Sequence, residues 1–420
     1  MRRISTATAD GHTKENTSPM DAHGARPLIH FTPARGWMND PLALTWHNDR
    51  YHLFFQYVPD RTSWAPECRW GHATSVDLLH WTEHAVALEP GDGDDGIWSG
   101  SLALDDDGHP TIFYTSVALP DFGVGRIRTA TPIDDDWMQW RKGDVVVEAP
   151  EDDLVAFRDP FVMRDGDGWR MLVGTALAGG DAAAASFASK DLKEWTYEGL
   201  AARRSTREIA PVWTGALWEC PQVFRLDGRD VLVTSVWEDD RLHDVVYGVG
   251  EFADGTFHAD HWGQLTYGEG FYAPSFFRDA EGRACLIFWV RGASDADAGW
   301  ASALSVPHVL TLEGDRLLSR PHPVVGEPAA LTTATIARSG DYEWTADIGA
   351  ALHVGQAEAP SATLTRTGSG LDVVTGGKTF SIPLTSSAVR VLLDEQALEI
   401  FTDAGAASVG APASFTPQIA

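Results

Sequence analysis

Five times along this chain a polar turn of Asp, Asn and Gly separates short apolar runs, and successive copies lie about 60 residues apart. Trp46-His47-Asn48-Asp49-Arg50 leads into Tyr51-His52-Leu53-Phe54-Phe55-Gln56-Tyr57, and Asp105-Asp106-Asp107-Gly108 leads into Thr111-Ile112-Phe113-Tyr114. Arg164-Asp165-Gly166-Asp167-Gly168 precedes Trp169-Arg170-Met171-Leu172-Val173, and Leu226-Asp227-Gly228-Arg229 precedes Val231-Leu232-Val233. The fifth copy, Arg278-Asp279-Ala280-Glu281-Gly282, precedes Ala284-Cys285-Leu286-Ile287-Phe288-Trp289. Asp, Asn and Gly accept the backbone that a tight hairpin demands, so each turn marks a pair of antiparallel strands. Ser75-Val76-Asp77-Leu78-Leu79-His80-Trp81 is echoed by Ser189-Lys190-Asp191-Leu192-Lys193-Glu194-Trp195, and few helical stripes intervene. A β-repeat of this period predicts an all-β propeller, and five copies predict five blades.

Each turn is preceded by a strand of unusual polarity: Asn39-Asp40-Pro41, Trp98-Ser99-Gly100-Ser101, Phe157-Arg158-Asp159-Pro160, Trp218-Glu219-Cys220-Pro221 and Phe271-Tyr272-Ala273-Pro274. Pro has no N–H for a central ladder, so Asp40 is expected where a strand stops, its side chain facing a cavity. The first strand of a blade lines the axial channel, and equivalent positions of successive blades converge at one end of it. Singly, Asp40, Asp159 and Glu219 read as solvated or paired strand-end residues. At matched positions of blades one, three and four they read as one site.

Carboxyls gathered in this way suit glycoside cleavage, in which one protonates the leaving oxygen and another attacks the anomeric carbon or activates water. Crowding disfavours ionising all of them, so at least one is expected to hold its proton near neutrality. Arg158 is open to two readings, an ion pair with Asp159 or a donor to a ligand hydroxyl. Gln56, Trp64 and Trp98 are core or rim residues, or else the aromatic planes and amides that suit the faces and edges of a sugar. His72 reads as structural, and Cys220 as packing against or tuning Glu219, since no His is placed to make it a nucleophile. The histidines lack ligand spacing, so no metal and no cofactor is expected.

With 420 residues the chain can bury a large core. Its net charge of -28 argues against nucleic acid or anionic membranes as partners. Cys68, Cys220 and Cys285 are too far apart for a disulfide framework. Arg2 and Arg3 are not followed by an apolar signal core, and no run is long enough to span a membrane, so a soluble cytoplasmic protein is expected. Composition divides the chain into a polar tail expected to be disordered over 1–28, a propeller over 29–320, a Pro-rich linker over 321–332 and a small β-sandwich over 333–420.

Taken together, Trp37-Met38-Asn39-Asp40-Pro41, Phe54-Phe55-Gln56-Tyr57, Trp70-Gly71-His72-Ala73, Asp77-Leu78 with His80-Trp81, Trp98-Ser99-Gly100-Ser101, Phe157-Arg158-Asp159-Pro160 and Trp218-Glu219-Cys220-Pro221 resemble glycoside hydrolase family 32. This is the invertase, inulinase and levanase group, and the motifs stand in its order and spacing. The resemblance implies a five-bladed propeller backed by a β-sandwich. It implies Asp40 as nucleophile, Glu219 as acid/base, and Asp159 as the group that binds fructosyl hydroxyls and stabilises the oxocarbenium-like transition state. Asn39, Gln56, Trp64, Trp98, Ser99 and Arg158 match positions lining the fructose subsite. The implied reaction is retaining hydrolysis of terminal β-fructofuranosyl units of sucrose or short fructans. A fructosyltransferase on the same site and a silent sugar-binding propeller are the alternatives. Two departures stand out: Leu42-Ala43 replace the usual Asn-Gly, making the corner near the nucleophile apolar, with consequences expected on the aglycone side. His308 replaces the usual Arg at an expected structural contact.

Overall fold

Each of the five turns joins the first two strands of an antiparallel blade. The computed structural model describes residues 26–411, apart from 121, 151–152, 337–338 and 357–358. Blade 1 comprises Gly36–His47, Arg50–Val58, Arg69–Ser75 and Thr82–Glu83; blade 2 comprises Gly96–Leu104, Pro110–Val117, Arg126–Pro132 and Trp140–Val147. Blade 3 is built from Leu154–Asp165, Gly168–Leu177, Asp181–Ser189 and Thr196–Ser205, and blade 4 from Leu217–Leu226, Arg229–Glu238, Arg241–Ala253 and Thr256–Gln264. Blade 5 starts with Phe271–Arg278 and Ala284–Asp295; Trp300–Leu304 and His308–Glu313 both pair with the second of these, and Arg316–Pro321 forms its edge. Asn48 and Asp49, like Asp227 and Gly228, take positive φ at both central positions of their turns, which matches the right-handed twist of the strands they join.

The blades are not wholly separate. Gly36 and Trp37 pair in parallel with Trp300 and Ala301, so blades 1 and 5 form one continuous sheet that closes the ring. Aromatic side chains fill the wedges between blades: Leu42, Phe54 and Trp70 of blade 1, for instance, pack with Ile97, Tyr114 and Trp140 of blade 2. The echoed Ser-x-Asp-Leu segments are matching capped turns, Ser75 and Ser189 accepting from the N–H of Leu78 and Leu192, both at positive φ.

Behind the propeller lie two further sheets. One runs Thr266–Tyr267, Ala406–Gly410, Ala397–Phe401, Ala388–Asp394, Gly340–Thr345 and Ala329–Ala330. The other runs Thr335–Ile336, Ala351–Gln356, Ala359–Arg366, Gly370–Thr375 and Lys378–Pro383. Their inward side chains, among them Trp344, Leu364, Val373, Ile382, Val391 and Ile400, form a core of their own. Thr266–Tyr267 belongs to the connection between blades 4 and 5, so the propeller contributes a strand to the sandwich. The expected linker holds a short 3-10 turn at Pro323–Val325 and the strand Ala329–Ala330. Of the expected tail, residues 1–25 lie outside the described residues. Where description begins, Arg26 lies over the Trp300 ring and the Leu28 N–H bonds to Asp394. Residues 412–420 of the expected sandwich also lie outside.

Candidate active site

The expectation that Asp40 ends a strand is corrected: it stands inside Gly36–His47, at a bulge between Met38 and Pro41. The same irregularity recurs at the matched place in every blade, between Trp98 and Gly100, opposite Leu172 and Gly174, between Glu219 and Gln222, and between Tyr272 and Ser275. A bulge removes a residue from the ladder, so a Pro without an N–H fits, and it re-aims the neighbouring side chain. Asp159, Cys220 and Ala273 accordingly sit at positive φ. The bulges set Asp40 and Asp159 out of their ladders, whereas Glu219, still paired with Ser235, flanks the bulge of its own blade.

Asp40 is held by neutral donors. Ser99 Oγ donates to Oδ2 at 2.5 Å, Gln56 Nε2 to the same oxygen at 3.4 Å, and Asn39 Nδ2 to Oδ1 at 3.0 Å. Gln56 in turn donates to Ser99 Oγ and accepts from Asn39, which accepts from Trp37 Nε1. Burial pushes the Asp40 carboxyl up to about 6, with the charge of Glu219 adding to it while Ser99 and Asn39 pull the other way.

Asp159 is buried and accepts from the Cys220 N–H at 3.1 Å, while its own N–H donates to Thr115 Oγ1 at 2.8 Å. Burial, reinforced by Glu219 and Asp40 and opposed by Arg158, raises it above the usual carboxylate range. Glu219 is held differently from both. Arg158 donates to Oε1 through Nε at 3.1 Å and Nη2 at 2.7 Å, and Tyr272 donates its hydroxyl to Oε2 at 2.6 Å. Of the two readings left open for Arg158, an ion pair is what the structure holds, but with Glu219 in place of Asp159. Cys220 points its buried thiol at Asp40 Oδ2, 3.8 Å away, not at Glu219.

Trp98 lies beneath the Arg158 guanidinium at 5.8 Å and donates its indole N–H to the Pro66 carbonyl. Trp64, at 43% exposure, meets Trp98 edge to face, and Phe122 packs against both. All nine sequence-predicted residues thus fall into one contact network, Asp159 joining through Cys220 and Glu219 through Tyr272. Sequence reasoning missed Tyr272, Trp37 and Trp289. The signal for Tyr272 was present, because Phe271-Tyr272-Ala273-Pro274 is the fifth copy of the carboxylate-bearing segment. Trp37 and Trp289 meet edge to face, and Trp289 packs with Tyr272 and Cys220.

Leu42 and Ala43, the expected apolar corner, are buried. With Gly100, Pro160, Pro221 and Pro274 they line a small cavity of about 60 Å³ that also touches Asp159 and Cys220. The substitution thus makes an apolar floor beside Asp159 and Cys220. His72, expected to be structural, is stacked on Phe54 and bonded to His52. Among the described residues, Asp279, Cys285 and His322 also come together, but Asp279 Oδ2 is taken by both Arg283 and His322.

Fold and site define a five-bladed propeller that brings acids of its first, third and fourth blades into one network. The chain belongs to glycosyl hydrolases family 32, whose N-terminal domain matches residues 30–321. It is 32% identical to a sucrose-6-phosphate hydrolase of Escherichia coli over 315 residues, 70% of this chain and 64% of that protein. It is likewise 32% identical to a raffinose invertase of Escherichia coli over 314 residues, again 70% and 64% of the two chains. The alignments thus span somewhat under two thirds of these relatives' length. The solved structure of a sucrose-6-phosphate hydrolase from Lactobacillus gasseri superposes with a TM-score of 0.78 at 22% identity, covering 96% of this chain and 90% of that one. At that identity the likeness speaks for the fold.

Proposed function

We propose that the protein is a retaining glycosidase that releases terminal β-D-fructofuranosyl units from sucrose or short fructo-oligosaccharides. The observation that carries this reading is the unlike dressing of two carboxylates in one network, Asp40 by neutral donors and Glu219 by a guanidinium and a phenol. Family membership and the names of the relatives, sucrose-6-phosphate hydrolase and raffinose invertase, support it. Asp40, oriented by Ser99, Gln56 and Asn39, attacks C2 of the fructosyl unit, and Glu219 protonates the departing oxygen. Glu219, now ionised and held by Arg158 and Tyr272, takes a proton from water as that water opens the fructosyl-enzyme. Asp159 bonds ring hydroxyls in a pocket walled by Trp98, with Trp64 at the rim as an apolar platform for the leaving sugar. The chain needs neither metal nor cofactor in this scheme. The expected division into propeller and sandwich places the chemistry in the former, and a cytoplasmic setting belongs to the same reading.

The test is free fructose released from sucrose, 1-kestose, inulin and levan, with Asp40→Ala as control. Release that falls by several orders of magnitude in the variant supports the hydrolase. Accumulation of longer fructans points instead to a transferase. Saturable sugar binding with no turnover points to a silent binding propeller.

A further inference from the structure

Tyr272 has one hydroxyl proton and two acceptors, Glu219 Oε2 at 2.6 Å and the Val236 carbonyl at 3.2 Å. Which one it serves decides how well Glu219 is held as an anion. Arg291 lies over the other part of the tyrosine, its guanidinium 5.0 Å from the ring centroid. It is pinned there from blade 4, donating from Nη1 to the Leu242 carbonyl at 3.1 Å and from Nη2 to that of His243 at 3.3 Å. Leu242 itself packs on the cluster of Cys220, Tyr272, Ala273 and Trp289. A cation over a phenol face draws density from the ring and makes its hydroxyl a stronger donor.

We propose that Arg291 is a positioning residue for Glu219, acting through Tyr272: it holds the phenol on the carboxylate and makes its hydroxyl a stronger donor to the anionic form. The proposal rests on the reading of Glu219 as acid/base. The groups facing Glu219 are Arg158, Tyr272, Asp40 and Asp159, with the Cys220 thiol beside them. Those facing Arg291 are Tyr272, Glu269, Asp244 and, farther off, Glu219; Arg241 and His243 lie on the same side, Arg241 paired with Glu269. Burial nonetheless draws Arg291 below its ordinary range, so its charge is held at a cost inside the protein. That cost is unexpected for a residue that only fills space, since a Met would pack there without it.

The measurement is the pH profile of kcat/KM on sucrose for the wild type, Arg291→Gln and Tyr272→Phe, with Glu219→Gln in parallel. Arg291→Gln keeps amide donors for the two carbonyls and removes the charge. Its alkaline limb is expected about half a pH unit above that of the wild type, with KM within about twofold. Tyr272→Phe, which removes only the hydroxyl, is expected to move the limb in the same direction, and Arg291→Lys to restore it. An alkaline limb unmoved in Arg291→Gln, with only thermal stability lowered, overturns the proposal. If Arg291→Gln does not fold, an unmoved limb in Tyr272→Phe overturns it equally. Retained activity in Glu219→Gln would instead overturn the acid/base reading on which the proposal rests.

Discussion

Arg158 adjoins Asp159 in the chain, yet directs two donors at one oxygen of Glu219, 61 residues farther on, at 3.1 and 2.7 Å. The contact crosses from blade 3 to blade 4, so it fixes the carboxylate relative to the neighbouring blade as well as charging its surroundings. A guanidinium presents its donors in a rigid fork, whereas an ammonium is a single point on a flexible stem. Arg158→Lys therefore keeps the charge and loses the geometry. Its kcat on sucrose should fall by about 100-fold or more. A loss below threefold would show that charge alone suffices.

On the proposed mechanism Asp40 must be ionised to attack, and burial holds its carboxyl at about 6. Activity is thus expected to fall as pH drops through about 6, when the nucleophile takes up a proton. Ser99 opposes that uptake by donating to the ionised form at 2.5 Å. Ser99→Ala should move the acid limb of kcat/KM upward by about half to one unit. An acid limb below pH 5 in the wild type, or one that Ser99→Ala leaves in place, would contradict this assignment of the limb.

The propeller was legible because its signal is periodic: hairpin turns with obligatory backbone chemistry recur once per blade. Asp40 and Asp159 followed from matching positions within that period; Glu219 stands one residue earlier, the matching place in its blade being held by Cys220. What the period does not contain is the bulge, a register slip visible only when both strands are paired, and so Asp40 was expected at a strand end. The partner of Arg158 was missed for a related reason. Sequence adjacency favours Asp159, but successive side chains in a strand point to opposite faces, and the positive φ of Asp159 re-aims it further. That the Leu42-Ala43 corner also lies beside Asp159 and Cys220 was not legible, because nearness to Asp40 in the chain does not say which residues of other blades stand opposite. The fusion of blades 1 and 5 through Trp300 and Ala301 rests on long-range pairing that no local pattern announces.

A buried carboxylate joins propeller and sandwich. Glu399 accepts from the Val306 N–H at 3.0 Å and is bonded by His30 at 3.0 Å and His308 at 3.1 Å, all three side chains fully or almost fully buried. His30 also bonds Asp394, which collects the N–H groups of Leu28, Ile29 and His30. Burial opposes charge on both groups, but it is outweighed: hydrogen bonds to Asp394 and Glu399 raise His30 to about 9, and the charge of His308 with the hydrogen bonds of both imidazoles holds Glu399 down at about 2. The stabilisation from His30 is complete below its unfolded value near 6.5 and lost as pH rises through about 9; that from Glu399 is complete above about 4.5 and lost toward pH 2. Glu399→Ala strips the acceptor from both imidazoles and should cost about 3 kcal/mol. Thermal unfolding near pH 6 checks this, and a change in Tm under about 1 °C would deny the contact its weight.

The opposite sign is expected at His52 and His72. Their rings stack, His52 Nδ1 lies 3.1 Å from His72 Nε2, and the outer nitrogen of each is buried without a partner among the described residues. Burial, with repulsion from neighbouring His and Arg side chains, pushes His52 down to about 4 and His72 to about 3. The unfolded chain then binds protons more readily than the folded one below about 6.5, so stability drains as pH falls from there toward 4. His72→Phe offers a ring to the same stack on Phe54 without a site for the proton. It should flatten the acid side of the stability curve by about 2 kcal/mol between pH 6.5 and 4. Urea midpoints across that range decide the matter, because a packing defect would lower the curve uniformly, whereas removal of a titrating group changes its slope.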